Sequence, residues 1–199
     1  MKCFVPALHC LCFFCIMLAA EMPTVQLTYD TTFCLGDFYL SVLLYRETEF
    51  DPSPVIPLAF YVHERKLHGT HDAFFFSYIN SVIPELDSST NVFIVTDGEQ
   101  AIITAVKNNL PNIAFFRCWN HTVQECKRWL RNHGVTTSLE LSYYVDSVRE
   151  LLQCASQQQY GQELLVYTTK WSQPFTQFFL DSIHAIIDHL GGWKQRLYG

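Results

Sequence analysis

The apolar run Val92-Phe93-Ile94-Val95 limits the fold of this chain more than any other stretch. Its β-branched and aromatic bias is that of a buried strand. Thr96-Asp97-Gly98 stops the run and leaves one carboxylate at its C-terminal tip. Ala101, Ile102, Ala105 and Val106 then recur at helical spacing, and Asn108-Asn109 before Pro111 closes that helix. A second short strand is expected over Ile113 to Phe116, leading into Cys118-Trp119-Asn120-His121. The result is strand–Asp–helix–strand with polar groups collected at strand ends, where open α/β sheets bind their ligands.

Upstream, Val25, Leu27 and Tyr29 alternate with Thr24, Gln26 and Thr28, a strand pattern that Asp30 is expected to end. Thr31 to Gly36 reads as a turn, and Phe38 to Tyr45 as a second strand. Glu47 to Pro54 reads as a hairpin-like connection, and Val55 to Val62 as a third strand whose Pro57 marks an edge or a bulge. Thr70 is a plausible N-cap for a helix carrying Phe74, Phe75, Tyr78, Ile79 and Val82 on one face. Polar Asp87-Ser88-Ser89-Thr90 then leads into Val92. The order β-β-β-α-β-α-β predicts an α/β fold: a mixed sheet, made of a three-stranded antiparallel meander plus parallel strands, with helices on its faces.

Val95-Thr96-Asp97-Gly98-Glu99-Gln100-Ala101, the following thirty residues, the closing CWNH and the upstream Tyr29-Asp30-Thr31-Thr32-Phe33 together resemble the transposase domain of Mutator-like elements. The resemblance spans roughly Val25 to Gly199. It implies a ribonuclease H-like fold and a D-D-E carboxylate set in which Asp30 and Asp97 are catalytic and hold Mg²⁺ or Mn²⁺. It also implies that Cys118 and His121 shape the edge of the active site. DNA is the implied partner and the nucleus the implied compartment. A homo-oligomer is compatible with it, and no small-molecule substrate is suggested.

After His121 a helix is expected to about His133, with Val123, Cys126, Trp129 and Leu130 inward and Gly134 as its stop. Thr137 and Glu140 form a capping box. Behind it Leu141, Tyr144, Val145, Val148, Leu151, Leu152 and Ala155 keep helical spacing. Ser172-Gln173-Pro174 opens another helix with Phe175, Phe178, Phe179, Ile183, Ile186, Ile187 and Leu190 on one stripe, closed by Gly191-Gly192. The expected organisation is an apolar leader over residues 1–22, a core over 23–134 and an all-helical region over 135–199. The last is similar to the insertion that the family carries between its second Asp and its Glu, and the family's third acid is expected beyond it. None of Glu125, Glu140, Glu150 and Glu163 holds that position.

Net charge −6 excludes a domain that grips DNA with a basic surface all round. The one local cluster of cations is Lys127, Arg128 and Arg131, the candidate DNA contact. Cys3, Cys10, Cys12 and Cys15 crowd the leader, while Cys34, Cys118, Cys126 and Cys154 are scattered, so spacing predicts no disulfide scaffold. Residues 1–20 have the cast of a secretory signal, interrupted by Pro6 and His9. On that route Asn120-His121-Thr122 would be a glycosylation acceptor. The alternative function is therefore a non-catalytic binding or structural remnant, which residues 1–20 would put on the secretory route.

Phosphoryl transfer on a nucleic-acid strand needs charge neutralised at both attacking and leaving oxygens, which paired metal ions on carboxylates accomplish. Hard Mg²⁺ keeps several waters, so few protein ligands suffice. A zinc site from Cys118, His121, Cys126 and His133 is disfavoured, because ligands five and seven residues apart on one helix diverge.

Overall fold

The computed structural model describes residues 25–46, 51–64, 68–74, 86 and 92–198. The leader, the helix positions Phe75, Tyr78, Ile79 and Val82, and the Asp87–Thr90 approach lie outside the described residues. The chain divides into two compact units, residues 1–116 with 198–199 and residues 117–197.

The first unit is α/β. Strands β1 (Val25–Leu35), β2 (Phe38–Arg46), β3 (Val55–His63), β4 (Val92–Thr96) and β5 (Ala114–Arg117) form one mixed sheet in the order β3-β2-β1-β4-β5. The β1–β2 and β2–β3 pairs are antiparallel and the β1–β4 pair is parallel. Helices α1 (His68–Phe74) and α2 (Gln100–Asn109) complete the described elements.

Period-two alternation sorts the strand residues. Val25, Leu27, Tyr29 and Thr31 are buried, while Gln26, Thr28 and Asp30 sit half-buried on the opposite parity. Every residue of β4 is buried, as its unbroken apolar run requires. Ile102, Ala105 and Val106 are the buried side of α2 and share one cluster with Ile94, Leu27 and Leu43. Ile94 has no exposed surface, so truncating it to alanine costs about 2–5 kcal/mol.

Two boundaries differ from expectation. Asp30 does not end β1: pairing continues through Thr31↔Ser41 and Thr32↔Leu40, and after a register irregularity through Leu35↔Phe38. The turn is Gly36-Asp37 alone. The β-favouring Thr31-Thr32-Phe33 segment carries the strand onward, and Asp30 is tolerated in mid-strand because its parity keeps it off the buried face. Helix α1 begins at His68, ahead of Thr70, and buries His71 and Phe74. Pro57 satisfies both of its expectations. It lies on the edge strand, and the register moves from Leu43↔Ala59 to Leu44↔Pro57, leaving Leu58 as the bulged residue.

The second unit is helical: α3 (Trp119–Asn132), α4 (Ser138–Gln153), α5 (Gln157–Thr168), α6 (Gln173–Ser182), a 3₁₀ segment (His184–His189) and α7 (Gly192–Gln195). Gly134, at φ +91°, takes the left-handed position after α3. Val135 N–H donates to Leu130 O at 3.1 Å and Gly134 N–H to Arg131 O at 3.3 Å, which closes the helix. Thr137 Oγ1 accepts from Glu140 N–H and caps α4, and Ser156 does the same for α5 through Gln159.

Val123, Cys126 and Leu130 of α3 are buried with Val145, Val148, Leu151, Phe175 and Phe179, so α3 packs within the helical unit. Edge-to-face contacts join Phe175 to Tyr144 (4.7 Å between centroids) and to Trp171 (4.9 Å). Trp171 Nε1–H donates to Ser147 Oγ at 2.9 Å, which satisfies the one polar atom of a buried indole.

The stripe from Phe175 to Leu190 is not one helix. α6 stops at Ser182, and the 3₁₀ segment has a break at Ile186 (φ −117°, ψ 20°). Three isoleucines within five residues crowd the preceding turn. The tighter winding still buries Ile183 and Leu190. Ala155 lies beyond the end of α4 and is exposed. Among the described residues no helix is long and apolar enough to cross a membrane.

Candidate functional site

The last registered pair between the parallel strands β1 and β4 is Tyr29↔Thr96. One step further on each chain stand Asp30 and Asp97, both half-buried. Neighbouring parallel strands thus bring the two expected acids to the same level of the sheet, at the C-terminal end of β4. Gly98 at φ +84° turns the chain there, which a β-carbon would strain. Asp97 Oδ1 accepts the backbone N–H of Glu99 at 2.9 Å, the turn an aspartate makes two residues ahead of itself.

Asp97 keeps Oδ2 outside that turn, and carboxylate oxygens are the ligands Mg²⁺ or Mn²⁺ prefers. Among the described residues no group of three or more His, Cys, Asp and Glu side chains converges as a metal site. The pair therefore has no third protein ligand within that set.

Behind the pair, on the buried parity, lies a polar network that the sequence reading passed over. Thr31 Oγ1 and Ser41 Oγ are 2.8 Å apart, and Ser41 Oγ is 2.8 Å from His63 Nε2. Tyr29 OH is 3.0 Å from His71 Nδ1. The two imidazoles meet edge to face at 5.3 Å, and Tyr61 stacks on His63. Burial above all pushes the Tyr29 phenol well beyond its ordinary range; a Ser41 hydrogen bond opposes this, and Tyr61, Asp97 and Glu99 add to it. A Ser–His hydrogen bond is the geometry of an activated nucleophile. Ser41, however, is 0% exposed, a setting that suits a buried structural network and not an accessible nucleophile. The signal was available: Tyr29, Thr31, Ser41 and His63 all fall on the inward parity of their strands.

The last three residues of CWNH lie within α3, not before it. Cys118 is the N-cap residue with extended backbone (φ −65°, ψ 124°), and Trp119, Asn120 and His121 form the first turn. The early start is held by Thr122, whose backbone N–H and Oγ1 each reach Cys118 O at 3.1 Å. Trp119 Nε1–H donates to Leu190 O at 2.6 Å and its ring lies over Gly192, so the tryptophan ties α3 to the end of the helical unit. Cys126 is fully buried, and burial raises its thiol to about 12. His133 is exposed, stacks on Trp129 at 3.7 Å and donates from Nδ1 to Trp129 O.

Two of the downstream glutamates are engaged inside the helical unit. Arg117 Nη2 donates to Glu125 Oε2 at 2.5 Å, and Tyr167 OH donates to Glu150. Lys127, Arg128 and Arg131 line the outer side of α3 together with Gln124 and Asn132 around a shallow hollow of about 190 Å³.

Comparison with models of known protein families and with curated proteins finds no match to this chain.

Proposed function

We propose that the chain is a transposase-derived domain of the Mutator-like type, ribonuclease H-like in fold, which holds a divalent cation at Asp30 and Asp97 and associates with DNA. The observation that supports this reading is the parallel register Tyr29↔Thr96, the last pair before Asp30 on one strand and before Asp97 just past the end of the other. A bound divalent ion neutralises phosphate charge during strand cleavage and joining. The chain's own part is to present two carboxylates at a sheet end, with Asp97 fixed by its bond to Glu99 N–H. The helices after residue 135 take the place of the family's insertion, and the cations of α3 supply the DNA contact. Chromosomal DNA as the partner puts the protein in the nucleus. Among the described residues no group of three His, Cys, Asp or Glu side chains forms around the pair, so the reading for these residues is binding and not cleavage.

One observation favours the second reading, a binding or structural domain without metal. Asp97 Oδ1 already serves the turn before α2, which an aspartate does in proteins of every function. Thermal unfolding with rising Mn²⁺ separates the two. The metal reading expects a stabilisation that saturates and that Asp30→Asn and Asp97→Asn each abolish. No shift, or a shift that survives both substitutions, would leave the structural reading.

A further inference from the structure

Formal charge is segregated along the chain. Residues 117–197 carry eight Lys and Arg against seven Asp and Glu, while the rest carries five against twelve. Within the helical unit half of the cations are already engaged: Arg117 with Glu125, Arg149 with Asp146, Lys194 with Asp188, and Arg196 with the carbonyl of Gln153. Lys127, Arg128 and Arg131 have no carboxylate partner among the described residues. They fall with Gln124 and Asn132 at i, i+3, i+4, i+7 and i+8, one stripe of α3 opposite its buried Cys126. A row of cations on a solvent face is ordinarily just solvated. This row differs in having no acid within it and a carboxamide at each end.

The geometry points to α3 as a recognition helix for the major groove of duplex DNA, reading base edges through Gln124, Arg128, Arg131 and Asn132. This rests on the DNA-associated reading above and goes beyond it, because phosphate contacts alone carry no sequence information. An α-helix fits the major groove, where Arg takes the two acceptors of guanine and Gln or Asn takes the acceptor–donor pair of adenine. At about 1.5 Å per residue the stripe is about 12 Å long. At about 3.4 Å per base step it covers three to four base pairs. An anionic membrane would use the cations but not the carboxamides, and it asks for Trp, Phe or Leu beside them, which this stripe lacks.

The test is selection of duplexes from a randomised library by the full chain, at low salt and in EDTA so that the carboxylate pair takes no part. Enrichment of a three- to four-base-pair element with guanine beside adenine is expected. The double variant Gln124→Ala/Asn132→Ala should lose about tenfold of that preference while binding unselected duplex as before. Lys127→Ala should weaken binding to all sequences alike and flatten the salt dependence. These side chains point away from the core, and the helical circular-dichroism melt of each variant checks its fold. Binding without enrichment, enrichment that survives the double variant, or no duplex binding at all overturns the recognition helix. In each case the Mn²⁺ response of Asp30 and Asp97 still decides the metal reading on its own.

Discussion

Tyr29 of β1 and Thr96 of β4 are partners in a parallel register, and the residue after each is an aspartate. The side chain of Asp97 has two separable duties, closing a turn and offering charge. Asparagine keeps an oxygen that accepts the Glu99 N–H, whereas alanine does not. Asp97→Asn is therefore expected to fold with unchanged stability and lose the Mn²⁺ response, while Asp97→Ala loses the response and about 1 kcal/mol besides. Held at ten times its dissociation constant, one ion stabilises by about 1.4 kcal/mol. For a chain of this length that is a rise of about 3–6 °C in the melting temperature, readable by calorimetry. A Mn²⁺ response intact in Asp97→Asn would remove Asp97 from the site.

Alkaline pH is expected to weaken both units. The Cys126 thiol is raised from near 9 to about 12, and the Tyr29 phenol is raised from near 10, in both cases first by burial. Each is an acid kept neutral in the folded chain, so its contribution is whole below the unfolded value. For the thiol that contribution is lost as pH rises from about 9 to 12, and for the phenol from about 10 upward. Urea midpoints should hold level from pH 7 to 8.5 and then fall. Replacing Cys126 with alanine should flatten the helical unit's share of that fall; an unchanged slope would mean the thiol is not its source.

Two glycines make opposite forecasts. A β-carbon on Gly192 would stand 2.7 Å from the backbone oxygen of Leu152, so Gly192→Ala must shift one helix against another. A loss of about 1–3 kcal/mol is expected. Gly161 lies inside α5 with nothing within 4 Å of such an atom. Gly161→Ala should stabilise by about 0.5–1 kcal/mol through helix propensity alone. Chemical denaturation of the two variants against the parent chain gives both signs in one experiment.

The strands and most helices were legible because their signals are local. The unbroken run at Val92 and the alternation from Val25 specify β4 and β1, and Thr137 and Gly134 carry their own capping chemistry. Asp30 reads as a strand end because a lone polar residue breaks a local pattern, whereas its tolerance depends on the partner strand. The break after Ser182 was hidden for a related reason: the apolar stripe runs on through Ile183 and Leu190 although the winding changes. α5 gave little signal of its own, since Tyr160 is its one buried residue. The Thr31–Ser41–His63 network needed the register of two strand pairs before its members could be seen together. Likewise a shared site for Asp30 and Asp97 is an implication of the resemblance, and the parallel register that ends at Tyr29↔Thr96 needed the strand order before it could be seen.

Strand cleavage is the severest test of the proposed function. The expected outcome is that this chain, with Mn²⁺, neither cuts nor joins DNA above background. In-line phosphoryl transfer needs charge stabilised at both the attacking and the leaving oxygen, and a site that offers this in fixed form supplies much of the rate. Asp30 and Asp97 are two acids, and one oxygen of Asp97 is spent on Glu99 N–H. Glu125 is held by Arg117 and Glu150 by Tyr167, so neither is an idle carboxylate waiting for a metal. A unit of cooperating groups that lacks one member commonly loses several powers of ten in rate. A supercoiled plasmid nicking assay, run with the parent chain, Asp97→Asn and Glu125→Gln, measures this directly. Nicking that vanishes in either variant would make the domain a working enzyme and overturn the inactive reading. Nicking that is the same in all three would belong to a contaminant, and its absence throughout is the result the proposal requires.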